Sequence, residues 1–353
     1  MRLVDFMLAR ARRLHPGHFA LVMATGIVSI DLDQHGMPVL ARVLFGLNLL
    51  AWSTLLLLTA LRLLRFRREL VADFIDPSRG ASFLTLAAGT CVLGSQCLLL
   101  VHWPLLARML AALGALSWAT LIYLFFAATI TARIKPGFTR SINGGWLVAV
   151  VATQALAVLM VLLVADAPAT RVAWLFGGLC LYLLGAALYL LIITLVVYRM
   201  VFFPLRAREF TPPYWIDMGA LAITTLAGSL LVLHTPATGP LQDLMPFVKG
   251  FTLFFWATAS WWIPLLVLLE IWRHVRRHVP LRYEVDDWDI VFPLGMYTVG
   301  TYELARALKL DFLRMIPAIG VYVSALIWLL VATGALVHGY RNLIRHHRDK
   351  HLE

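Results

Sequence analysis

The chain is poor in charge. Asp, Glu, Lys and Arg make up 14% of its 353 residues, while hydrophobic residues make up 61%. That balance is far from the soluble average. Acidic residues are the scarcer sign, 19 against 30 Lys and Arg. Cysteine is nearly missing: Cys91, Cys97 and Cys180 all lie inside apolar stretches, and no CxxC pair occurs. Structural disulfides and zinc sites are therefore disfavoured. No small-residue cleavage site follows the basic flank Arg10, Arg12 and Arg13, so the first apolar stretch does not read as a removable leader. No polar loop is long enough to fold as a separate domain. Catalytic signatures are missing too: there is no HExxH, no phosphate loop and no Ser-His-Asp set.

What the chain has instead is a series of long windows without charge. They cover 14–30, 43–61, 80–107, 109–132, 141–165, 172–198, 218–242, 250–269 and 315–340, with a shorter one at 290–302. A hydrocarbon core of about 30 Å takes roughly 20 apolar residues of helix. Barrel strands are shorter and alternate polar with apolar, so helices are expected here. The prediction is an all-α membrane protein, one transmembrane domain over 1–353. Its ten spans are placed at 16–33, 39–61, 82–103, 105–131, 143–165, 172–198, 215–234, 244–272, 288–308 and 313–339. Short outward connections make each consecutive pair a helical hairpin, five in all.

The basic residues give the orientation. With ten spans, 23 of the 30 Lys and Arg fall on the side of the two termini. The other seven are Arg42, Arg108, Arg171, Lys249, Arg306, Lys309 and Arg314. The larger set belongs in the cytoplasm, so both termini are expected there, in a multi-pass protein of the cell membrane. The net charge of +11 is then mainly a topology signal and a contact for anionic lipid, not a nucleic-acid site.

Small and polar residues favour the odd spans: Thr25, Gly26 and Ser29, then Thr90, Gly94, Ser95 and Gln96, then Thr153 and Gln154, then Thr224, Thr225 and Gly228. Either these residues glue helices together, or the odd helices line a path. Trp288–Tyr302 reads WDIVFPLGMYTVGTY. Pro293 cannot donate to the carbonyl four residues back. Gly295 and Gly300 loosen the same helix. A kink there either presents Phe292 to a central path or leaves it facing lipid. The eighth span is rich in tryptophan, with Trp256 and Trp261 expected to pack inside. Glu303 and Arg306, three apart, pair on one helix face, with a solvated mouth as their expected setting. His274 and His278 have metal-ligand spacing but sit in an Arg-rich flank, and no metal or other cofactor is expected. His15 and His18 are expected at the lipid interface. No carboxylate is expected at mid-depth. A path of hydroxyls, amides and backbone breaks suits an anion. A membrane-embedded enzyme for a lipid-soluble substrate is the alternative, and it would need a His, Asp or Glu cluster at one depth.

Three motifs carry a resemblance: HPGHFALVMATGI from His15, PPYWIDMGA from Pro212, and FWATASWWIP from Phe255 followed by WDIVFPLGMYT. Together they resemble the tellurite-resistance/dicarboxylate transporter family, which includes bacterial TehA, plant slow anion channels, the yeast malic-acid transporter and fungal sulfite efflux pumps. The resemblance implies odd helices around a central pore, even helices outside, and a homotrimer with one pore per subunit. It places a gating phenylalanine at Phe292 and a pore-facing polar residue at Gln154. It implies anions as substrates: C4-dicarboxylates such as malate, sulfite, nitrate or chloride. The expected lining is Thr25, Gly26, Thr90, Ser95, Gln154, Thr225, Pro293, Gly295 and Thr298.

Overall fold

The computed structural model describes residues 3–166 and 170–350, and all regular structure among them is helical. The α-helices, in chain order, are α1 (Leu3–Arg12), α2 (Ala20–Gln34), α3 (Pro38–Arg65), α4 (Arg67–Ile75), α5 (Thr85–Leu99), α6 (Pro104–Thr131) and α7 (Phe138–Ser141). There follow α8 (Val148–Leu162), α9 (Arg171–Phe202), α10 (Ile216–His234), α11 (Met245–Ile271), α12 (Trp288–Leu308) and α13 (Met315–Lys350). Among the described residues, eight helical segments are long and apolar enough to cross a membrane. The stretches holding α2 and α12 fall short of that mark. They carry Asp31 and Asp33, and Glu303 and Arg306. Both helices are walled by other helices, which relieves them of the need to be apolar.

Two layers result. Helices α2, α5, α8, α10 and α12 touch in sequence and close a ring, α12 returning to α2. Each is followed in the chain by a longer helix that packs on it from outside: α3, α6, α9, α11 and α13. The spanning segments that include α5, α8 and α10 are 72, 89 and 89% buried, against 17–33% for the five outer ones. Tyr123, Phe176, Trp261 and Leu330 are among the large side chains left on the outer surface. Trp261 therefore faces outward rather than packing inside.

Each ring helix is entered through a tight 3-10 turn: Pro16–Phe19, Gly80–Leu84, Gly144–Leu147, Pro212–Trp215 and Val285–Asp287. These five turns also touch in a closed circle. All five ring helices thus start at one end and run parallel. His15 caps the first turn, its Nδ1 accepting from the Gly17 N–H at 3.2 Å, and lies 3.8 Å from Asp286 beside the last turn. His18 Nδ1 sits 2.7 Å from the His15 carbonyl. Both histidines belong to the turn circle and are not lipid-facing.

Glycine sits at every seam of the ring. A Cβ on Gly26 would meet Val92 at 2.5 Å, one on Gly94 would meet Leu159 at 2.6 Å, and one on Gly219 would meet Pro293 at 2.7 Å. Gly295 does the same against Ile27 at 2.9 Å, and Gly144 against the backbone of Pro213 and Tyr214. Small residues let helix backbones approach where lipid supplies no hydrophobic drive.

Candidate functional site

The direction of each ring helix face can be read from its partners. On α12, Tyr297 meets Ser260 of α11 at 2.7 Å, Thr301 accepts from Trp256 of α11 at 2.9 Å, and Thr298 packs against Gly320 of α13. Those residues mark the outward face. The opposite stripe, at helical spacing, is Phe292, Met296, Val299 and Glu303. The same reasoning turns Ile30 and Gln34 of α2, Ala88 and Ser95 of α5, Ala155 of α8, and Ile223 and Leu230 of α10 toward the ring centre. The centre is apolar and nearly closed: Phe292 is 1% exposed. Its polar groups are Ser95 at mid-height and Gln34, His234 and Glu303 at the end away from the turns.

Most polar residues of the ring point the other way. Trp52 donates to Thr90 at 3.0 Å, Trp118 to Thr153 at 2.8 Å, and Trp328 to Thr25 at 3.0 Å. With Trp256 on Thr301, four outer helices each reach the next ring helix through one indole N–H. At the fifth position the Tyr189 hydroxyl of α9 donates to the Asp217 carbonyl of α10 at 3.2 Å. Gln154 donates to the Tyr182 carbonyl of α9 at 3.0 Å. The Thr225 hydroxyl donates to its own helix, at Leu221. Of the expected lining residues, Thr25, Thr90, Gln154 and Thr298 thus meet the outer layer. Ser95 and Phe292 sit on central stripes, and Gly26, Pro293 and Gly295 lie at ring seams. Fixed spacing cannot tell an inward hydroxyl from an outward one without knowing where the neighbouring helix lies.

Carboxylates are buried after all. Asp31, Asp217 and Glu303 are at most 4% exposed, and Asp289 is 9%. Neither carboxylate oxygen of Asp217 has a hydrogen-bond partner. Asp31 accepts from Ser324 at 2.8 Å and lies 3.2 Å from His35. Glu303 accepts from Arg306 at 2.7 Å and from Gln34 at 2.9 Å. These four lie toward helix ends and not at mid-depth; what Glu303 overturns is a path of only hydroxyls, amides and backbone breaks. The solvated mouth expected for Glu303 and Arg306 holds for Arg306, whose side chain is 48% exposed, and not for Glu303, which α2 covers. Gln34, its partner from the far end of the chain, had no local signal.

At the turn end, three outer helices finish on buried arginines. Arg62 donates to the Leu14 carbonyl at 2.8 Å, Arg199 donates to that of Thr139 at 2.8 Å, and Arg273 lies 3.8 Å from Glu270. Arg62 and Arg79 both bond Asp73. Partial burial would raise that carboxyl, but the two guanidiniums outweigh it and hold Asp73 below the usual carboxylate range. Burial pushes Asp287, the final residue of the last turn, up to about 6. His274 Nδ1 lies 2.7 Å from the Val279 carbonyl and its Nε2 3.2 Å from Glu270, while His278 is exposed. Among the described residues no group of three His, Cys, Asp or Glu is placed to hold a metal ion.

The sequence profile of the voltage-dependent anion channels matches residues 13–336, nearly the whole chain, from before the first 3-10 turn into α13. The chain belongs to the voltage-dependent anion channel family. Members of this family are transporters and channels. An uncharacterized transporter of Methanocaldococcus jannaschii is 24% identical over 331 residues, 89% of this chain and 88% of its own length. A second transporter of that organism is 23% identical, covering 88% of this chain and 89% of its own length. An uncharacterized membrane protein of Mycobacterium tuberculosis is 41% identical over 165 residues, 46% of this chain and 83% of its own length.

Proposed function

We propose that this protein passes small anions across the cell membrane along the axis of its five-helix ring, with Phe292 as the gate. The observation that carries the reading is the closed circle of five 3-10 turns. It gathers five parallel helix N-termini around one axis, each bearing about half a positive charge. The outer helices run back and end farther from that axis, so their opposing dipoles cancel less of the field there. Anion preference rests on this field and on the family, not on an interior without carboxylates. The two layers act as ten spans in five hairpins, with the turn end and both termini in the cytoplasm. Three copies assemble, each with its own path.

The substrate class is C4-dicarboxylates such as malate, or sulfite and other small oxyanions. Ser95 lines the path at mid-height, and Gly26, Pro293 and Gly295 set its width. Thr25, Thr90, Gln154 and Thr298 hold the ring against the outer layer, and Thr225 bonds its own helix. The Phe292 ring closes an apolar constriction where an ion would lose hydration it cannot replace. Purified protein in liposomes, assayed for flux of malate, sulfite, nitrate and chloride, tests the reading. Flux of at least one anion above empty vesicles is expected. Under asymmetric salt, a reversal potential that follows the cation would overturn it.

A further inference from the structure

At the end of the ring away from the turns, a carboxylate is held as a bound anion would be held. Glu303 lies on the central stripe of α12, three turns beyond Phe292, and is 4% exposed. One of its oxygens accepts from the Arg306 guanidinium at 2.7 Å, the other from the Gln34 amide at 2.9 Å. The two donors come from different helices and meet across the seam between α12 and α2. The Arg306 side chain is 48% exposed, so the pair opens to solvent. A guanidinium and a primary amide converging on two carboxylate oxygens make a good donor set for carboxylates and oxyanions.

We propose that Arg306 and Gln34 form an outer anion-binding site for carboxylates and small oxyanions, and that the Glu303 carboxylate is its tethered occupant. The proposal rests on the transport reading above and adds where the anion docks. A free anion displaces the Glu303 carboxylate, or a proton on Glu303 removes the competitor and leaves Arg306 cationic. Proton and anion are then bound together without any covalent step. Other charged and titratable groups surround this end. Helix α2 brings Asp31, Asp33 and His35, with His35 3.2 Å from Asp31. Asp311 and Arg314 pair with each other at 3.1 Å. Helix α10 ends at His234, and Lys309 follows α12. Any of these could carry a pH effect, so variants of Glu303 and Arg306 make the assignment.

The test is thermal unfolding of the purified protein in detergent, titrated with sodium nitrate, whose charge does not change with pH, and with malate at pH 7.5. A bulky sulfonate salt holds the ionic strength constant. Glu303→Gln should reach half-maximal stabilisation at an anion concentration at least about tenfold lower than wild type, roughly 1.4 kcal/mol in binding. Lowering the pH should move the wild-type half-point for nitrate toward that of Glu303→Gln and leave Glu303→Gln where it is. Arg306→Gln should abolish the effect of pH, and this arm stands even if Glu303→Gln does not fold. Equal half-points in wild type and Glu303→Gln, or no stabilisation in any of the three proteins, would mean a purely structural ion pair. Shifted half-points with no flux in liposomes would sink the transport reading and leave the site standing. Flux with unshifted half-points would do the reverse.

Discussion

The segments Gly144–Leu162 and Asp311–Arg341 have the same mean hydropathy, yet one is 89% buried and the other 17%. Hydropathy therefore reports that a helix lives in the membrane and not which layer it occupies. The layer is written in smaller features. Ring helices carry glycines where backbones meet and hydroxyls aimed outward. Outer helices carry the tryptophans that bond those hydroxyls and leave Leu, Phe and Tyr to lipid.

The contrast is sharpest at the centre. Phe292→Ala should raise anion flux about tenfold or more in liposomes while the protein still folds, because the lost ring opens a wet path. Phe255→Ala is the control. That ring is also fully buried, but it packs against Tyr189 and Phe251 in the outer layer. If both variants leave flux unchanged, the central stripe is packing and nothing more.

Next in size is a seam. Gly144→Ala drives a methyl group into the Pro213 and Tyr214 backbone, which cannot rotate away. A loss of about 3 kcal/mol is expected, at the upper end for overpacking. Gly250→Ala, on the outer helix α11 with open space at its Cβ, should be neutral in the same thermal assay. Equal melting for the two would break the distinction between layers.

The bonds between layers should weigh less. Trp118→Phe removes the donor to Thr153 and should cost about 1 kcal/mol, since buried hydrogen bonds in membranes average below that and reach somewhat above it. Leu105→Ala on the lipid face should change melting by less than about 0.5 kcal/mol. The smallest effect concerns acid. Asp73 titrates below its unfolded value, so its stabilisation is complete above the ordinary carboxylate range and is lost as the pH falls through the depressed value. Melting should drop below about pH 4, and Asp73→Asn should flatten that drop. A steeper drop in the variant would contradict the role of Arg62 and Arg79.

Much of this was legible in the chain. Charge-free windows and basic clusters predict membrane helices paired as hairpins, and the motifs around Pro212 and Phe292 carry the family and, with it, the ring inside a shell. The pairing of Glu303 with Arg306 is local, three residues apart, and could be read. Its bond to Gln34 joins residues 269 apart and could not. Nor could the burial of Asp217, which opens α10 in a motif that looks interfacial. The threonines misled for a physical reason: a hydroxyl on a ring helix serves a path or a neighbour equally well, and only the indole opposite decides.

The glycine seams also set a timescale. A ring whose seams leave no room for a Cβ at Gly26, Gly94, Gly144, Gly219 and Gly295 cannot widen like an iris without breaking five close contacts together. Opening through rotation of a single phenyl ring asks for none of that. Side-chain rotations belong to a faster regime than collective helix motion, slowed where they are buried. The protein should therefore show brief, frequent openings with shallow temperature dependence, and not the long-lived states of a pore that opens by moving its walls.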